Sequence, residues 1–175
     1  MARSSSSSFT AELAAARIGA THNQYARSPL RRERLREYLE ARAHAQVVLV
    51  GEAAGYRGAR ISGIPFTSER QLTGRGPAEA SATIVHRVLA ELGVEDGVLL
   101  WNVVPTHPGT ATSNRARSRA EIEAARPFLD EVTRGRMVIA VGRVASATLD
   151  APYLRHPSHG GAAAFASGLR HMLTR

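Results

Sequence analysis

Three short apolar runs constrain this chain more than any other feature. Val47 to Val50 stops at Gly51, Val98 to Val104 is apolar except for Asn102, and Met137 to Val141 stops at Gly142. Runs of this length without polar alternation are the pattern of strands buried on both faces. A shorter strand is expected within Ala151 to Arg155. The segments between them have helical character. Ser28-Pro29 opens a helix through Leu30 to His44, since proline is preorganised for a first turn. Pro77 to Leu92 puts Ile84, Val88, Leu89 and Leu92 on one face and stops at Gly93. Ser118 and Glu121 form a capping box for a helix reaching about Arg134. Shorter helices are expected over Phe9 to Gly19 and Val144 to Leu149, and a last one over Gly161 to Leu173. Strands alternating with helices at this spacing specify a three-layer α/β/α sandwich around a central four-stranded, mainly parallel sheet. Residues 1–9, small and polar, read as a disordered lead, and residues 10–175 as a single domain.

Composition narrows the chemistry. Apolar residues are 43% of the 175, but aromatics only 5%, so the core is built from Ala, Val and Leu. No apolar run approaches the roughly 18–20 residues a membrane helix needs. The serine run Ser4 to Ser8 is unlike a signal peptide, so the expected location is the cytoplasm, at the nucleoid when bound to DNA, with no membrane partner. Cysteine is absent, which removes disulfides, thiolate zinc sites and iron–sulfur clusters. All 23 basic residues are arginine. Against 15 acids they leave a net charge of +8, which points to an anionic partner. A chain without lysine has neither a P-loop nor a Schiff base.

Ligands of open parallel sheets sit beyond the carboxyl ends of the strands. Three segments leave those ends: Gly51-Glu-Ala-Ala-Gly55 with a glycine-rich loop over residues 52–76, Trp101-Asn-Val-Val-Pro105, and Arg155-His-Pro-Ser-His159. A structureless stretch as long as the first is usually functional. Between them stand Gly63-Ile-Pro-Phe66, Glu121-Ile-Glu-Ala-Ala-Arg-Pro-Phe-Leu129 and Val138-Ile-Ala-Val-Gly-Arg143. In chain order the six motifs resemble those of the uracil-DNA glycosylase superfamily, most closely its family 4 branch. The resemblance runs from Val47 nearly to the C-terminus. It implies hydrolysis of the N-glycosidic bond of uracil in DNA, leaving free uracil and an abasic site.

The departures from that branch are specific. The cysteine of its Ala-Cys-Arg-Pro element is Ala125 here, so no cluster is expected, nor any other cofactor or metal. The proline of Gly-Glu-Ala-Pro-Gly is Ala54. The apolar wedge that follows His-Pro-Ser is replaced by His159-Gly160-Gly161, which leaves His159 or an arginine to fill the duplex. Other branches place an aspartate at Ala53 and a methyl-excluding tyrosine at Gly55.

Each step of base excision has a candidate. Phe66 offers a flat face on which a flipped base stacks, or is a core aromatic. Asn102 presents a donor and an acceptor in one plane, matching uracil O4 and N3–H, or bonds a neighbouring loop. Gly51 and Ala53 line the uracil pocket by resemblance. His156, held extended by Pro157, is expected to donate to O2 as charge builds there; the alternative is a metal pair with His159. Glu52 is expected to orient the water, or else caps its own loop. DNA-backbone contacts are expected from Arg57, Arg60, Arg115, Arg117, Ser158 and His159. The protein is expected to act as a monomer on single- or double-stranded uracil-containing DNA. The rival readings are a non-catalytic binder of uracil or abasic DNA from the same superfamily, and a nucleoside or nucleotide hydrolase.

Overall fold

The computed structural model describes residues 5–174. The elements run α1 (Ser6–Ala15), α2 (Pro29–Ala41), β1 (Val47–Ala53), α3 (Ala59–Ser62), α4 (Glu69–Thr73), α5 (Ala80–Leu92), β2 (Val98–Val104), α6 (Arg119–Thr133), β3 (Met137–Val141), α7 (Arg143–Thr148), β4 (Tyr153–Leu154) and α8 (Ala162–Leu173). The four strands form one sheet in the order β2-β1-β3-β4, and every pairing is parallel. The expected layered α/β fold is the one observed.

Period-two alternation splits the core between the two faces. Val48, Val50, Leu99, Trp101 and Val103 face the layer of α1, α2 and α6, against Leu13, Leu35, Ala125 and Leu129. Leu49, Val98, Leu100, Ile139 and Val141 face α5 and α8, against Val85, Val88, Leu89, Phe165 and Leu169. At the sheet edge, the Leu100 amide donates to the Tyr38 hydroxyl at 2.7 Å, so an otherwise unpaired strand N–H is satisfied from α2.

Three expectations need adjustment. The disordered lead does not reach residue 9: α1 begins at Ser6, with the Ser5 hydroxyl accepting from the Ser8 amide. Phe9 is buried and meets Trp101 and Phe128 edge-on, each at 5.6 Å between ring centres. That burial orders the segment; residues 1–4 of the expected lead lie outside the described residues. Residues 52–76 are not structureless, since they contain α3 and α4. Strand β1 runs past Gly51 to Ala53, which pairs with Val104.

Candidate active site

The register of β1 and β2 sets Gly51 directly beside Asn102. Alternation turns Asn102 toward the α5/α8 side, as it does Leu100 two residues earlier. Asn102 is only 3% exposed, and none of the described residues hydrogen-bonds its side-chain amide. A buried amide with unspent donors and acceptors is costly, and it stands where a ligand can use them. Gly51 is needed next to it: a Cβ there would run into the Phe66 ring and lie 3.1 Å from Asn102 Oδ1.

Phe66 is half-buried and its backbone has φ of 51°, in the left-handed region that side chains seldom adopt. Its surroundings hold it there. Ser62 Oγ donates to the Thr67 carbonyl at 2.6 Å, Thr67 Oγ1 donates to the Pro65 carbonyl at 3.0 Å, and His86 Nε2 lies 3.0 Å from Thr67 Oγ1. His86 also bonds the Phe66 backbone, and burial pulls its pKa down. Phe66 and Asn102 line one cleft of about 520 Å³ together with Glu52, Ala53, His156 and His159.

His156 is oriented by its own loop. The Ser158 amide donates to Nδ1 at 3.1 Å, and Ser158 Oγ lies 2.7 Å from the same atom. A ring nitrogen that accepts from a backbone N–H carries no proton, so the proton sits on Nε2 and is available to the cleft. Burial, Arg155 and then His159 all lower the His156 pKa, which favours the neutral ring. His159 also has φ of 51°, and its Nδ1 reaches Ser158 Oγ at 2.9 Å. The two histidines therefore each spend Nδ1 on Ser158. Among the described residues no cluster of three or more His, Asp or Glu side chains is arranged to hold a metal ion.

Glu52, one residue before the end of β1, lies on the opposite face from Asn102, partly open to water, with Arg117 Nη1 at 3.7 Å from its carboxylate. The expected DNA-gripping side chains fare differently. Arg115 lines the cleft, but its guanidinium forks onto Glu121 at 3.0 and 2.5 Å. Glu121 is buried and also accepts from the Ser118 amide; Arg115 first, with that amide, holds its carboxyl down to about 2. Arg117 faces Glu52, and the Ser158 hydroxyl sits between the two histidines. Arg57 is exposed, lying 5.9 Å over the Tyr56 ring, and Arg60 is half-buried in α3.

Three polar lining residues were not anticipated. Asn114 accepts from the Tyr56 amide at 3.0 Å and so ties the two long loops together. Glu79 and Ser81, at the start of α5, complete the wall. Nothing in their local sequence marks them, because α5 is reached across the sheet from the three strand-end motifs.

A family model described as the uracil DNA glycosylase superfamily matches residues 39–171. The crystal structure of wild-type SMUG2 from Pedobacter heparinus superposes with a TM-score of 0.71, covering 97% of both chains at 14% sequence identity. No curated protein matches the chain.

Proposed function

This chain belongs to the uracil DNA glycosylase superfamily, and on that basis we propose that it is a monofunctional glycosylase that releases uracil from DNA. The observation that carries the reading is the unspent amide of Asn102 in a cleft shared with Phe66 and His156. A uracil turned out of the helix stacks on Phe66, which a backbone held in the left-handed region presents to the cleft. The Asn102 NH₂ donates to O4 and its carbonyl accepts from N3–H, a pattern that cytosine reverses.

The bond that breaks joins C1′ to N1. Its electron pair leaves with the base and spreads onto O2, where the His156 Nε2–H donates a hydrogen bond. A neutral donor suits this task, because it stabilises the anion without giving up its proton. The sugar is left electron-poor at C1′. Glu52 balances that charge and orients a water whose oxygen bonds to C1′, while the water's proton passes toward the carboxylate. Arg117, 3.7 Å from the Glu52 carboxylate, favours its ionised form. With no lysine in the chain, a lysine-based cut of the resulting abasic strand is not available.

Supporting this reading are the family match, the fold and the chemistry of the cleft. The test is release of free uracil from a uracil-containing oligonucleotide, run beside free deoxyuridine. Uracil released from DNA, with the strand left intact, is the expected result. Release from the nucleoside alone would make the protein a nucleoside hydrolase, and tight binding without release would make it a reader of damaged DNA.

A further inference from the structure

Glu79 is a titratable side chain in the cleft that the chemistry above does not use. It occupies the N-cap position of α5, where a side chain ordinarily accepts from the helix's first amides, yet it makes no capping bond. Its carboxyl turns instead onto the loop after β1. A Cβ at Gly55 would lie 2.8 and 3.0 Å from the two carboxyl oxygens, and a Cβ at Gly58 would collide with Oε2. Two glycines thus form a seat that only a residue without a side chain permits. Ser81 Oγ donates to Oε1 at 3.2 Å, and among the described residues no arginine or histidine forms an ion pair with it. Burial raises its pKa. A half-buried carboxyl with one hydroxyl partner is a local cost, and such costs concentrate where a ligand is read.

The edge it meets follows from the other assignments. Asn102 takes O4 and N3–H, His156 takes O2, and N1 carries the sugar. The C5–C6 edge is left, and it has no polar atom to satisfy. Of the remaining polar cleft side chains, Asn114 has its Oδ1 committed to the Tyr56 amide. Glu79, braced from behind by the backbone at Gly55 and Gly58, has little room to retreat.

We propose that Glu79 is a specificity-determining residue whose carboxyl, seated on Gly55 and Gly58, walls off the C5 side of the base and rejects pyrimidines carrying a 5-methyl group. Thymine differs from uracil only by that methyl, which would press on the carboxyl and strip water from it. The inference rests on the uracil-releasing reading of the same cleft.

The test compares wild type, Glu79→Ala and Glu79→Gln on duplexes carrying uracil or thymine opposite guanine. The readout is the ratio of the two single-turnover release rates. Glu79→Ala should lower the uracil-to-thymine ratio by roughly 10- to 200-fold, the range one methyl commands in a fitted pocket. Glu79→Gln keeps the bulk and should keep most of the discrimination. A parallel binding measurement uses oligonucleotides with non-hydrolysable 2′-fluoro-2′-deoxyuridine or its 5-methyl counterpart, and needs no turnover. If the wild type releases no uracil but binds the unmethylated probe more tightly, with the preference lost in Glu79→Ala, the catalytic reading fails and the role of Glu79 stands. An unchanged ratio in folded Glu79→Ala, or no preference in wild-type binding, overturns it.

Discussion

Asn102 shows how much one side chain decides. Its amide is buried, unpartnered among the described residues and adjacent to the glycine that makes room for Phe66. Asn102→Asp keeps the shape and removes the donor, so an ionised carboxylate would face uracil O4 with lone pairs on both sides. Single-turnover uracil release should fall about 10²-fold or more, the scale of leaving opposed acceptors in a dry pocket. Circular dichroism matching wild type would show that folding is not the cause, and full activity would mean that Asn102 does not read the base. His156 makes a separate prediction through its tautomer. Protonating Nδ1 would set a donor against the Ser158 amide and dislodge the ring. Burial and its cationic neighbours hold the His156 pKa below the ordinary histidine value, so the neutral ring persists through pH 7 and is lost only as pH falls below about 6.5. The acid limb of the uracil-release rate should therefore lie below that value in wild type. Ser158→Ala, which weakens the bonding at Nδ1, should move it.

At the scale of elements, strands β2 and β3 were legible to the residue, because a strand buried on both faces must be continuously apolar and little else in the chain is. The capping box placed α6, and Gly93 placed the end of α5. Helix α1 was partly missed. Its Ala- and Ser-rich sequence has little amphipathic pattern, and Phe9 becomes a core residue only once Trp101 and Phe128 are beside it. Phe9→Ala should accordingly cost about 3–5 kcal/mol, the usual range for a buried aromatic truncated to alanine. For a chain of this size each kcal/mol shifts the thermal midpoint by about 2–4 °C, so calorimetry should show a drop of roughly 6 °C or more. A shift within about 1 °C would mean that α1 docks without contributing to stability. The candidate cleft was legible where it hangs on strand ends, since Glu52, Asn102 and His156 share its lining. It was not legible where helices supply it. Arg115 reads as a free cation beside a DNA-facing loop, and only the fold brings the buried Glu121 onto it. Glu79 belongs to a helix whose approach to the loop after β1 no local pattern encodes.

For the whole molecule, the excess of arginine has a consequence that no single arginine carries. With a net charge of +8, binding to DNA should weaken linearly in log–log terms as salt rises, since each phosphate contact releases condensed counterions. Titrations between 50 and 200 mM salt, conditions chosen to bracket that behaviour, should show a steep negative slope. Neutralising Arg115 should change that slope little, because its charge is already balanced by Glu121, whereas loss of Arg57 should reduce it. A flat dependence would remove DNA as the partner. One further property of the chain is optical. Trp101 is its single tryptophan, fully buried one residue before Asn102, and its indole nitrogen finds no hydrogen-bond partner among the described residues. An indole in so apolar a setting emits toward the blue, and on unfolding its emission shifts red with no second indole to blur the signal. Trp101 thus reports folding without an attached dye, from the face of β2 turned to α1, α2 and α6.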